Sequence, residues 1–216
     1  MNENELKRII EEISSFEQLK LSNIPDIDLY MDQVTTFIDE KLGYLKRNEK
    51  DSILTKTMIN NYTKAGIVIP PKKKKYSKQH MILIILTYYL KQVLSISDIQ
   101  SLLSPIVQSI NSGKIHELNV EDIYNKFLEI ERDEIASFKG EFEDKLSLEL
   151  ADNLSEAELE SEEKLEQDLE EDTHDLDDKE KDISNLIMTV ITLVVRSSIQ
   201  KRMAEKIIDE LLNENK

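Results

Sequence analysis

Hydrophobic residues recur at helical spacing along most of the chain, and the breaks between the runs mark out its elements. Leu6, Ile9, Ile10, Ile13, Phe16 and Leu19 predict an amphipathic helix from Asn4 to Leu19. Pro25 with Asp26 or Asp28 opens a second, carrying Tyr30, Val34, Phe37, Ile38, Lys41, Leu42 and Leu45 on one face. A third helix is predicted over 55–65, with Thr55 as N-cap and Gly66 just past the end. Its length is roughly 16 Å. On it Met58, Ile59, Tyr62 and Ala65 share the packing side, while Lys56, Thr57, Asn60, Asn61, Thr63 and Lys64 fall on the other.

The β-branched run Ile67–Ile69, closed by Pro70 and Pro71, suits a brief extended segment. Lys72–Lys75 then form a basic tip ending in Tyr76, and a short strand pair around that tip would make a wing. Ser77 caps a helix reaching about Val93, apolar on all sides at its centre and therefore buried. Ser95 to Asp98 opens a further helix that Gly113 ends, with Ile99, Leu102, Leu103, Ile106, Val107 and Ile110 as its core stripe. Asn119 caps another, expected to run to about Phe138 on a stripe of Val120, Ile123, Phe127, Ile130, Ile135 and Phe138.

Beyond Gly140 the pattern changes. From Glu141 to Asp182 isolated leucines stand among carboxylates with no sustained stripe, which reads as a solvated linker, disordered or transiently helical. The segment from Ile183 to Leu212 is again helical in pattern, apolar on most sides in its first half. Such a helix must bury against something, either its own core or a second copy of the chain. The expected divisions are an N-terminal helix (1–27), a central domain (28–140), the acidic linker (141–182) and a C-terminal helix (183–216).

Charge sharpens this picture. The net charge is −16, yet residues 141–182 alone carry 20 acidic and four basic side chains, so the remaining residues sum to zero. No carboxylate occurs between Asp51 and Asp98, a stretch holding eight lysines. Local charge governs binding, so a basic segment in an acidic protein can still meet a polyanion. Asn, Thr and Lys on one helix face are groups that reach base edges and phosphates.

Other chemistries find little support. The absence of cysteine excludes disulfides and thiolate metal sites, and His80, His116 and His174 lack ligand spacing. Four glycines build no phosphate-cradling loop, and no nucleophile elbow is present. No enzyme activity, cofactor or metal is expected. The apolar runs Met81–Leu90 and Leu186–Val195 contain Thr or Tyr and are shorter than a membrane span requires, so a cytoplasmic protein without membrane contact is expected.

Thr55, Ile59, Tyr62, Lys64, Gly66, the apolar run with Pro70 and Pro71, Tyr76 and the LSISDIQSLL close resemble the DNA-binding half of MerR-type regulators. More closely, the chain resembles uncharacterised MerR-like proteins of low-GC Gram-positive bacteria known only as a domain of unknown function. The likeness is strong over about 50 residues and looser over 28–138. Asn60 and Asn61 stand where that pattern usually has an Arg and a first Tyr, and the tip holds no Arg. The resemblance implies a winged helix-turn-helix core, which together with the flanking helices, acidic linker and long C-terminal helix read above gives a mostly α protein. It further implies a transcriptional regulator that binds double-stranded DNA as a homodimer through Lys56, Thr57, Asn60, Asn61 and Lys64 of the recognition helix and Lys72, Lys73, Lys74 and Lys75 of the wing. The competing reading is a non-enzymatic interaction module, with the central domain and the last helix docking a protein partner.

Overall fold

The most apolar segment of the chain sits at its centre. In the computed structural model, which describes residues 3–113, 119–152 and 178–207, helix α4 (Lys78–Leu90) buries every side chain from His80 to Leu90. Helices α2 (Met31–Lys41), α3 (Lys56–Lys64), α5 (Ile96–Ser112), α6 (Val120–Asp152) and α7 (Asp178–Ile207) share one core with it, and α1 (Glu3–Ser14) packs on α6 and α7. Two-residue strands β1 (Leu29–Tyr30) and β2 (Lys75–Tyr76) form one antiparallel ladder that pairs Leu29 with Tyr76 and Tyr30 with Lys75. The chain is thus mostly helical.

Several elements differ from their sequence expectation, each for a local reason. The first helix stops at Ser14 rather than Leu19. There the Ser14 and Ser15 hydroxyls donate to the carbonyls of Ile10 and Glu12, competing with the continuing helix. Phe16 instead stacks on Tyr44, and Leu19 enters the core. The second helix begins at Met31, where Tyr30 N–H donates to Gln33 Oε1, because the preceding residues are engaged as β1. The expected strand pair around the lysine tip is reduced to a single bridge between Lys72 and Lys75, and the ladder proper joins Lys75–Tyr76 to Leu29–Tyr30.

The largest difference lies beyond Phe138, where α6 continues through Gly140 into the acidic stretch as far as Asp152. Long-range contacts hold this extension. Phe142 packs with Phe138 beside the Leu6, Ile9, Ile10, Ile13 and Met203 cluster. Arg196 Nη2 of α7 donates to both oxygens of the Glu141 carboxylate, at 2.7 and 2.9 Å, and Lys139 reaches Glu11 of α1 at 2.6 Å. Residues 153–177, the remaining core of the predicted linker, lie outside the described residues. Gly140 is exposed in mid-helix, and a Cβ there would meet nothing within 4 Å. Gly140→Ala is therefore expected to raise stability by about 0.5–1 kcal/mol, read as an increased melting temperature with an unchanged far-UV spectrum.

Helix α7 folds back onto its own chain, packing along α6, α1 and α4. Ile187, Ile191, Val194, Val195, Ile199 and Met203 are buried, whereas Leu186 is 66% and Leu193 61% exposed. By length and composition alone Ile183–Met203 would suffice to cross a membrane, contrary to the count made from its short apolar run. Helix turns beyond Val195 supply the extra length, and its inward face is packed against the other helices.

One carboxylate lies inside. Glu131 occupies a core position of α6, one turn from both Phe127 and Ile135, and is 3% exposed. Gln18 Nε2 donates to it at 2.9 Å, and the Tyr44 and Tyr89 hydroxyls share a hydrogen bond of 2.9 Å. Burial raises the Glu131 carboxyl above its ordinary 4.5, against the opposing pull of Gln18, Tyr89 and Arg202. The unfolded chain therefore releases this proton at lower pH than the folded chain does. Stability contributed at this site is full below the ordinary value and is lost as pH rises through the folded-state value. Glu131→Gln keeps the shape and the bond from Gln18 but cannot ionise. Its melting temperature is expected to exceed that of the parent at neutral pH, with the gap closing as pH falls toward about 4.

Candidate nucleic-acid interface

Helix α3 is delimited by its own residues. Thr55 Oγ1 accepts from Met58 N–H at 3.2 Å at the start. At the end Gly66 adopts φ +72°, so that Gly66 N–H donates to Thr63 O at 3.1 Å and Ile67 N–H to Tyr62 O at 3.0 Å. These paired bonds are a Schellman close, which needs the left-handed conformation glycine tolerates. Ile59 and Tyr62 are buried and Met58 is half-buried, which fixes the opposite face outward. Lys56, Thr57, Asn60, Asn61 and Lys64 are all exposed on it. Thr63 is half-buried, its hydroxyl donating to Ile59 O at 3.1 Å. The Tyr62 hydroxyl has no hydrogen-bond partner, and burial pushes the phenol up to about 12.

The lysine tip is a tight turn. Lys75 N–H donates to Lys72 O at 2.9 Å, and Lys73 and Lys74 take φ of 50° and 65°. Two central residues at positive φ are the mark of a turn whose twist matches a hairpin, and here lysines occupy positions that Asn or Gly usually fill. Lys72, Lys73 and Lys74 are exposed. Lys75 is half-buried, its ammonium 5.3 Å from the centre of the Tyr30 ring, a cation–π contact that the sequence did not suggest.

The base of this turn is anchored through His80. Ser77 N–H donates to His80 Nδ1 at 3.0 Å, so the ring proton resides on Nε2, which faces Pro70 O at 3.4 Å. Desolvation lowers the imidazole pKa, so the ring is neutral near pH 7. His80 thus ties Pro70 to the N-terminus of α4, and Tyr76 packs edge-on against it.

Helix α2 touches both α3 and β2, and so links the two groups of cations. Asp32, in the first turn of α2, forms an ion pair with Lys56. Lys56 therefore carries a built-in carboxylate partner, in contrast to the acid-free neighbourhood that its own segment suggests. The long connection from α2 to α3 is held by Asp39, which accepts from Lys46 Nζ at 2.7 Å and from Ile53 N–H at 3.3 Å. Arg47, in the same connection, pairs with Glu205 of α7 at 3.5 Å. Among the described residues no cluster of His, Asp or Glu is placed to hold a metal ion.

Sequence reasoning missed Tyr30, Asp32 and Glu131. The first two act across the fold and carry no local signal. Glu131 did carry one: a carboxylate at the helical spacing of Phe127 and Ile135 belongs to the buried stripe.

The residues from Leu19 to Phe127 match the family described as Domain of unknown function (DUF1836), and the chain belongs to that family. No curated protein and no solved structure matches the chain.

Proposed function

We propose that this protein is a cytoplasmic, non-enzymatic DNA-binding transcriptional regulator whose central domain is a winged helix-turn-helix of the MerR type. In this reading α3 enters the major groove, and the Lys72–Lys75 turn grips the adjacent backbone. The observation that carries it is the division of α3. Ile59 and Tyr62 lock one face into the core, while the other presents two lysines, two asparagines and a threonine to solvent within a segment free of carboxylates.

With its side chains an α-helix is about 10–12 Å across, which a major groove about 12 Å wide admits, and α3 is about 13 Å long. Asn60 and Asn61 are the candidates for base contact, since an amide can pair bidentately with adenine. Lys64, Lys72, Lys73 and Lys74 supply charge for phosphates, and Lys56 would first have to leave Asp32. The proposal includes a two-fold dimer, supported by the exposed Leu186 and Leu193, one heptad apart on a side of α7 that its core contacts leave open. Half-sites would then be separated by about 34 Å or a multiple of it.

Repeated selection from a random duplex library tests the reading. A regulator of this kind enriches a palindromic site with that spacing. A pool that stays random through successive rounds, with the protein folded, contradicts sequence-specific reading.

A further inference from the structure

Away from the lysine face, a cavity of about 60 Å³ lies where α4, α6 and α7 meet the turn at 43–45. Glu131, Tyr88, Tyr89 and Ser198 bring polar groups to it, and Ile135 and Val195 are among its apolar walls. We propose that this cavity binds the cationic head of a small organic amine or guanidinium compound.

Three observations carry the assignment. Glu131 reaches the cavity from the core side with one described donor, Gln18 Nε2 at 2.9 Å. A carboxylate offers about four lone-pair sites, so acceptor capacity remains for a ligand N–H. Ser198 lines the cavity and its buried hydroxyl has no hydrogen-bond partner, so a small shift of the wall would turn it toward a ligand acceptor or donor. Tyr88 and Tyr89 stand edge to face at 5.9 Å and give the site aromatic walls, to which a desolvated cation is attracted.

Two of the rim side chains, Lys201 and Arg202, are cations, and Arg202 acts on the Glu131 carboxylate through space, so a bound cation competes with it. Arg202 directs its guanidinium over the rings of Phe16 and Tyr44, at 5.4 and 5.8 Å, and Glu205 pairs with Arg47. Lys201 is exposed at the mouth, so a ligand tail carrying a carboxylate would meet it there. Size limits the head group. At roughly 10–15 Å³ per water-sized probe the cavity holds about four or five heavy atoms, the size of propylammonium or guanidinium.

The test uses the full-length protein with its isoleucine and valine methyl groups labelled for NMR. Propylammonium and guanidinium chlorides are titrated against sodium chloride of equal ionic strength, with n-propanol as the uncharged isostere. Saturable shifts at Ile135, Val195 and Ile199 are expected with at least one cation and not with propanol. Glu131→Gln, which retains the fold's shape, is expected to weaken binding about tenfold or more. Ser198→Leu, which fills the cavity, is expected to abolish it and decides the matter if the first variant does not fold. Linear or absent shifts up to about 100 mM of both cations, a Kd unchanged by the variants, or equal binding of propanol would overturn the proposal. The outcome is independent of whether the protein binds DNA.

Discussion

Replacing Lys72, Lys73, Lys74 and Lys75 together by alanine is expected to flatten the salt dependence of duplex binding and to weaken it most at low salt. Each phosphate neutralised contributes about 0.9 to the slope of log K against log salt. Lys72, Lys73 and Lys74 project freely, and Lys75 is held over Tyr30. Three contacts account for a slope change of about 2.7, which over a fourfold rise in salt is about 40-fold in affinity. The fold should survive, because these side chains bury little and the turn bond uses backbone atoms. Alanine at the positive-φ positions Lys73 and Lys74 carries the same backbone strain that lysine does. Anisotropy titrations at two salt concentrations read the slope, and circular dichroism confirms folding.

The second large effect is on stability. Ile191→Asp is expected to cost at least about 4 kcal/mol, since it combines the loss of a core side chain with an unpaired buried carboxylate. Ile191 is 1% exposed on the inward face of α7. Leu186→Asp changes the same class of residue on the outward face, and at a dilution where the chain is monomeric it is expected to stay within about 0.5 kcal/mol of the parent. The asymmetry follows from α7 packing on its own chain. Denaturant melts check it, and equal losses at the two positions would place the contact surface elsewhere. Against a total of about 5–15 kcal/mol, the first substitution removes a large share of the folding free energy.

What could be read from the chain follows from how local each signal is. Helix α3 was legible nearly to the residue, because Thr55 and Gly66 delimit it through bonds to their own neighbours. The same holds for α5, bounded by Ser95 and by Gly113 at φ +66°. The continuation of α6 to Asp152 was not legible, since its partners Arg196, Glu11 and the α1 cluster are distant in sequence. Carboxylates on an outward helix face look like a solvated linker until those partners are placed. The β1–β2 ladder was hidden for a similar reason, because two residues per strand leave no alternation to detect. At the candidate interface the exposed residues of α3 and the lysine turn were foreseen as a set. The modifiers of that set, Asp32 on Lys56 and Tyr30 under Lys75, come from the start of α2 and were not.

The choice between packing and pairing for the last helix was open in the sequence because both uses require the same apolar run. Burial of Ile187, Ile191, Val194 and Val195 assigns one face to the fold, and the exposed Leu186 and Leu193 leave another for the proposed second copy.

If the lysine-bearing face of α3 and the turn at 72–75 meet duplex DNA, fluorescence anisotropy of the intact protein on a labelled random-sequence duplex, at low and at physiological salt, will show it. Measurable binding is expected at low salt and falls steeply as salt rises, with a slope of at least about 3 from the exposed Lys64, Lys72, Lys73 and Lys74. A flat titration at both salts, with the protein folded and with deletion of residues 153–177 giving the same result, would contradict it and direct attention to an acidic protein partner for the same face.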